Sequence, residues 1–160
     1  MKKSNGPLTY EQAKDKALRL LAFRAHSEYE LRDKLKRANA VEDDIDKIIE
    51  FCKEYKFLND VDFAKRKAAD LKNLKKFGKN RIKSELRRVG IASEIIEDIL
   101  MDMDFEDEAD KLLPLVEKKL GGDFERKSKD RCIRYFMYRG YDFYTIKNCI
   151  DTVVSENDER

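Results

Sequence analysis

Side chains able to do covalent or acid–base chemistry are few in this chain and stand far apart. The one histidine, His26, lies just before a predicted helix with no second histidine to share a metal and no cysteine to activate, so a surface or cap-adjacent role is expected of it. Cys52, Cys132 and Cys149 are odd in number and form no C-x-x-C pair. They read as small buried thiols of a reducing compartment, with neither a disulfide framework nor a zinc site indicated. A serine hydrolase would need a G-x-S-x-G turn, which is missing. The stretch "FGKNRI", Phe77 to Ile82, has Gly-Lys but not the earlier glycine or the following Ser/Thr of a phosphate cradle. Acidic pairs such as Asp43-Asp44 fit helix starts, where the dipole favours them. Catalysis is therefore not expected, nor is any cofactor or metal.

Charge is abundant and segregated. Between Lys65 and Arg88 there are eleven lysines and arginines against Asp70 and Glu85, whereas Glu94 to Asp110 holds nine acids and no base. A net charge of +2 conceals this layout, which suggests a basic surface for a polyanion beside an acidic one for a protein partner. The candidate contacts on the basic side are Lys65, Arg66, Lys72, Lys75, Lys76, Lys79, Arg81, Lys83, Arg87 and Arg88, which would meet phosphates by charge without reading sequence. In "RYFMYRGYDFY", Arg134 to Tyr144, six of eleven residues are aromatic. Tyr138 and Tyr144 have no core role by pattern and suit either base stacking or protein contact.

The elements that position these residues are helices. Charged residues make up 42% of the 160 and tryptophan is absent, so apolar side chains are confined to narrow stripes with 3.6-residue periodicity. Thr9-x-x-Gln12 and Ser27-x-x-Glu30 are capping boxes ahead of Ala13/Ala17/Leu20/Leu21 and Leu31/Leu35. Asn39-Ala40 ends the second helix, and Ile45, Ile48, Ile49 and Cys52 stripe a third. The pattern then recurs. Asn59 or Asp60 caps a helix with Phe63, Ala64, Ala68 and Leu71; Gly78 precedes Ile82 and Leu86; Gly90 fits a left-handed C′ position before Ile91; Ile95, Ile99 and Leu100 follow. A third round begins at Asp107-Glu108-Ala109 with Leu112, Leu113 and Val116, Pro114 being expected to kink it. It continues through Cys132, Phe136, Gly140 and Tyr141 to a helix capped by Asp142 with Ile146 and Ile150. Leu35, Leu86 and Phe136 are equivalent, at a period near fifty residues.

Such a period predicts an all-α tandem array, elongated and curved, because one triplet buries too little apolar surface alone; a compact nine-helix bundle is the alternative. The expected division is a flexible 1–8, three-helix units 9–58, 59–104 (basic) and 105–152, and a frayed 153–160. No apolar run is long enough to cross a membrane and the N-terminus has no signal-peptide core, so a cytoplasmic, soluble protein is expected.

These motifs resemble the RecX family, regulators of the RecA recombinase. "ALRLLAFRAHSEYELRDKL" (Ala17 to Leu35) is similar to the family's opening signature, "FLNDVDFA" (Phe57 to Ala64) to its unit junction, "GKNRIKSELRRVGI" (Gly78 to Ile91) to its second-unit motif and "RGYDFYTI" (Arg139 to Ile146) to that of its third. The resemblance runs from about Thr9 to Thr152. His26 stands where the family often has arginine, Asn39 replaces a usual glycine, and "GGDF" with Pro114 makes the third unit depart. The resemblance implies a monomeric, non-enzymatic protein that binds the RecA filament on single- or double-stranded DNA and lowers its ATPase, strand-exchange and coprotease activities. Arg24, Lys34, Arg134, Tyr138, Arg139 and Tyr144 are further candidate partner contacts. An independent DNA-binding protein and a helical scaffold are the competing readings of the same surface.

Overall fold

The computed structural model describes residues 6–160. Among them are nine helices: α1 (Tyr10–Phe23), α2 (Glu28–Arg37), α3 (Glu42–Glu54), α4 (Asp60–Asn73), α5 (Lys79–Arg88), α6 (Ser93–Asp102), α7 (Glu108–Leu120), α8 (Arg126–Tyr138) and α9 (Phe143–Asp158). They form an all-α array of three consecutive triplets, as the period requires. Of the segment expected to be flexible, 1–5 lies outside the described residues, and Leu8 is held by its amide on the Asn39 carbonyl at 3.0 Å. The tail expected to fray from residue 153 instead continues α9 to Asp158, with Val153 buried.

The helix starts follow from their caps. The Thr9 and Ser27 side chains accept from the Gln12 and Glu30 amides, and Gln12 and Glu30 reach back to the cap amides, so both boxes close. Asn59 accepts from the Asp62 amide at 3.1 Å, and Asp142 from the Tyr144 amide at 3.0 Å. α3 has no side-chain cap; Glu42, Asp43 and Asp44 in its first turn complement the dipole instead. α7 is one helix that includes Pro114 and ends on Gly121 at φ 59°.

The chain divides into two compact units, one holding the residues up to Lys67 with Leu86–Ile96, the other Ala68–Glu85 with Glu97–Arg160. The boundaries thus fall inside α4, α5 and α6. The first unit has a core of Ala13, Ala17, Leu31, Leu35, Ile45, Ile48, Ile49, Cys52 and Leu58. In the second, Leu112, Val116, Leu120, Cys132, Phe136, Tyr141, Ile146, Cys149, Ile150 and Val153 form the core. Each fully buried Leu or Ile contributes about 1.5–3 kcal/mol. In α6 the expected stripe is displaced by one residue: Ile96 is buried and Ile95 half-buried. With Ile99 and Leu100 fixed on the buried face, Ile96 completes the i, i+3, i+4 spacing and Ile95 falls at its edge, so the reading named the neighbour of the buried residue.

Each unit contains one glycine joint, where the C-terminal turn of one middle helix rests on the first turn of the middle helix before it. In the first, Gly90 after α5 takes φ 81° and lies so close to Tyr29 of α2 that a Cβ would meet the ring carbon Cδ1 at 2.9 Å. There Ser27 Oγ, buried, donates to the Val89 carbonyl at 2.5 Å while capping α2. In the second, Gly140 after α8 takes φ 101° against Arg81 of α5, and Gly78 meets Gly140 backbone to backbone. The Gly78 amide donates to the Arg139 carbonyl at 2.9 Å and the Asn80 amide to the Gly140 carbonyl at 3.1 Å. Carbonyls orphaned at one helix end are thereby met by donors at the start of another.

A Cβ at Gly78 would stand 2.5 Å from the Gly140 oxygen and 2.7 Å from the Tyr141 nitrogen, both backbone atoms that cannot move aside cheaply. Gly78→Ala is expected to lower stability in urea by about 1–3 kcal/mol, the usual penalty of overpacking. At an open site with ordinary φ the same change would stabilise by roughly 0.4–1 kcal/mol through the unfolded state. A raised urea midpoint for Gly78→Ala would therefore refute the close approach.

Candidate interaction surface

In the first unit the polar groups beside α2 form a network that sequence reasoning missed. Arg24 pairs with Glu30 at 2.9 Å and donates to the Ala25 carbonyl at 2.7 Å. His26, expected at the surface, is 2% exposed: its Nδ1 donates to the Arg24 carbonyl at 2.9 Å, and its Nε2 accepts from Lys34 Nζ at 2.8 Å. The correction has a physical cause. His26 sits directly before a buried cap, and the chain must turn inward there to bring Ser27 to Val89. Arg24 and Lys34, candidate partner contacts by sequence, are thus engaged within the fold. Burial would raise the Glu30 carboxyl, but the Arg24 guanidinium and the Ser27 amide hold it below the usual range. Nearby, Glu28 pairs with Lys53 at 3.0 Å, and its amide donates to Asp60 at 2.8 Å. Lys65, Arg66, Arg87 and Arg88 are exposed in this unit.

In the second unit the candidate cations sort into two kinds. Lys75, Lys76 and Lys79 are exposed around the turn that joins α4 to α5, and Lys83 is half-buried. Lys72 donates to the Asp104 carbonyl and lies 5.1 Å from the Phe105 ring. Arg81 is structural: it bonds Glu85 at 3.0 Å and the Tyr138 carbonyl at 3.2 Å, and its guanidinium lies over the Phe77 and Tyr138 rings at 5.0 and 4.6 Å. Arg139 donates to the Lys75 carbonyl and lies 5.0 Å from the same Phe77 ring. The Tyr141 hydroxyl donates to the Lys76 carbonyl at 2.6 Å. The α4–α5 turn, with Lys76 at φ 57°, is therefore pinned from beneath while Lys75 and Lys76 stay exposed and the Lys79 ammonium lies 5.6 Å from the Phe105 ring.

Part of the acidic stretch is consumed inside this unit rather than offered to a partner. Glu108 accepts from the Lys79 amide at 3.2 Å, and Asp107 pairs with Lys111 at 2.8 Å. Burial raises the Glu108 pKa, partly offset by that amide and by Lys72 and Lys79. An apolar cleft of about 410 Å³ lies beside them, walled by Phe77, Phe105, Pro114 and Tyr141. Of the remaining candidates, Arg134 is exposed, and Tyr138 and Tyr144 are 73% and 71% exposed.

The reactive groups are sealed. All three thiols are buried, and burial raises each of their pKa values, so they stay protonated and poor nucleophiles. Among the described residues no cluster of three or more His, Cys, Asp or Glu side chains has metal-binding geometry, and no helix is long and apolar enough to cross a membrane.

Triplets of helices linked by glycine joints define an all-α repeat protein. The family model for the RecX first three-helix domain matches residues 13–52, and that for the second matches residues 59–100. A regulatory protein RecX of Clostridium perfringens is 36% identical over 149 residues, covering 89% of this chain and 67% of its own. That of Cronobacter sakazakii is 34% identical over 146 residues, covering 82% and 86%. The crystal structure of RecX from Lactobacillus salivarius superposes with a TM-score of 0.75 at 25% identity, over 94% of this chain and 97% of that one. The chain belongs to the RecX family of regulatory proteins.

The His26 network carries a pH signature. Burial lowers the His26 pKa below its ordinary 6.5; the bond to the Arg24 carbonyl opposes this, and the charges of Arg24 and Lys34 add to the lowering. The unfolded chain therefore binds a proton at a higher pH than the folded one. Stability from this site is fully present above about 6.5 and is lost as pH falls below it toward the lowered value. Chemical denaturation from pH 7.5 to 5.5 should show wild-type stability falling relative to His26→Gln, which cannot titrate. Parallel curves for the two proteins would rule out a buried neutral imidazole.

Proposed function

We propose that this chain is a non-enzymatic, cytoplasmic regulator that binds as a monomer to the filament formed by the RecA recombinase on DNA and restrains it. It would thereby lower ATP hydrolysis, strand exchange and assisted repressor cleavage. The observation that carries the reading is the α4–α5 turn: Lys75, Lys76 and Lys79 are exposed on a backbone pinned by Arg139 and Tyr141. A pinned turn presents its charges in one geometry, so less side-chain and loop entropy is lost on binding a polyanionic or acidic surface. Membership of a family of regulatory proteins supplies the regulatory sense. In this reading residues 9–58, 59–104 and 105–152 act as three successive contact units, with the second bearing the basic face.

Arg81 is left out of that face because its guanidinium is committed to Glu85 and Tyr138. The test is co-sedimentation with preassembled filament. The double variant Lys75→Glu, Lys76→Glu should bind about tenfold or more weakly than wild type, with an unchanged melting temperature because both side chains are exposed; Lys79 is left in place because it lies over Phe105 and beside Glu108. Equal binding by both proteins would remove this turn from the interface.

A further inference from the structure

One face of α8 points away from the core and touches the joint only at its edge, where Tyr138 meets Arg81 and the Tyr135 ring lies 5.6 Å from the Arg139 guanidinium. Arg131, Arg134, Tyr135 and Tyr138 follow the spacing i, i+3, i+4, i+7, which puts them on one stripe, flanking the buried Cys132 and Phe136. Lys119 reaches this stripe from α7, and together they line a groove of about 600 Å³. That is within the roughly 300–1,000 Å³ of ordinary ligand sites. Its one acid, Asp123, is already engaged by Ser128 Oγ at 2.5 Å and the Glu125 amide at 3.1 Å. The lining thus presents three cations around two tyrosines: Arg134 and Lys119, and Arg131, which donates to Ser128 Oγ at 3.1 Å and is exposed.

The aromatic rings are arranged for stacking. Tyr135 carries the Lys119 ammonium over its ring at 4.1 Å. Tyr138 has Arg81 on one face at 4.6 Å and is still 73% exposed, so its opposite face is open. Arg81 is itself fixed by Glu85 and the Tyr138 carbonyl, which holds the ring in place from behind. A rigid, half-covered aromatic flanked by arginines recognises a planar base attached to a phosphate. In a duplex the bases are stacked on one another and offer no free face.

We propose that the α7–α8 groove is a binding site for single-stranded nucleic acid, with Tyr138 stacking on an unpaired base while Arg131, Arg134 and Lys119 meet the adjoining phosphates. The site goes beyond the filament reading and needs no recombinase, so the two stand or fall separately. It also differs from the lysine turn in kind, since that turn has charge without an open ring.

The test is fluorescence anisotropy with the full chain alone, using a labelled oligothymidine of about 20 nucleotides, long enough for one site, and a duplex of the same length. Tyr138→Ala should weaken single-strand binding by about 5- to 100-fold, the range for losing one stacked base, and leave duplex binding within about twofold. Tyr138→Phe should keep the affinity, since the ring and not the hydroxyl does the stacking. Arg131→Glu with Arg134→Glu should weaken binding and flatten its salt dependence. Unchanged single-strand affinity in Tyr138→Ala, or equal losses on both DNAs, would overturn the proposal. So would variants that bind DNA normally but lose binding to the recombinase, which would make the groove a protein contact.

Discussion

The close approach at the glycine joints, of Gly78 to the Gly140 backbone and of Gly90 to the Tyr29 side chain, is the constraint from which the rest of this structure follows. At Gly78 and Gly140 the two backbone segments are so close that a single methyl group would collide with the peptide itself. Closeness on this scale turns the end of one helix into the cap of another: the Arg139 and Gly140 carbonyls receive the Gly78 and Asn80 amides, and the Val89 carbonyl receives the Ser27 hydroxyl. The joints therefore satisfy polar groups that water would otherwise have to meet, and they do so without a large apolar core. For a chain in which 42% of residues are charged, that is a necessary substitute for hydrophobic mass.

The same constraint explains the side chains around it. Arg81 lies at the joint, so its charge is spent on Glu85, Tyr138 and the Phe77 ring. Arg139 and Tyr141, on either side of Gly140, both reach back to the turn that follows α4. Asn39 shows the converse. It shares the left-handed backbone of Gly90 and Gly140, with φ 66°, but its carbonyl is met by the Leu8 amide, and it can carry a side chain there. In the third triplet, α8 begins at Arg126, earlier in the repeat than α2 and α5, and its start is closed locally by Asp123 and Ser128.

The local features were legible in the sequence because they depend on neighbours within one helical turn. Both capping boxes, the cap at Asp142, a cap at one of Asn59 and Asp60, the left-handed turn at Gly90 and the equivalence of Leu35, Leu86 and Phe136 are of this kind. What escaped was set by contacts across many residues. Ser27 meets Val89, Arg139 meets Lys75 and Tyr141 meets Lys76, pairs some sixty residues apart that no periodicity reveals. Hence Arg139 and Arg81 looked like free cations; Arg24, Lys34 and His26 have partners within eight residues, but the inward turn that buries His26 is itself set by the distant Ser27–Val89 contact. One signal was available: Gly78 lies just ahead of α5 and Gly140 follows an arginine, and glycines at fixed repeat positions mark places where another backbone comes near.

Once the committed arginines are set aside, the second unit offers two outward features suited to polyanions in different ways, the lysine turn and the tyrosine-lined face of α8. Both are held on backbone that the joint fixes, which is what the proposed role on a recombinase–DNA filament would require. The most direct measurement is a titration of this protein into the single-stranded-DNA-dependent ATPase of its cognate RecA recombinase, with filament assembly followed in parallel. The account predicts a progressive loss of ATP hydrolysis as protein is added. Full hydrolysis at saturating protein, with the filament assembled, would contradict it.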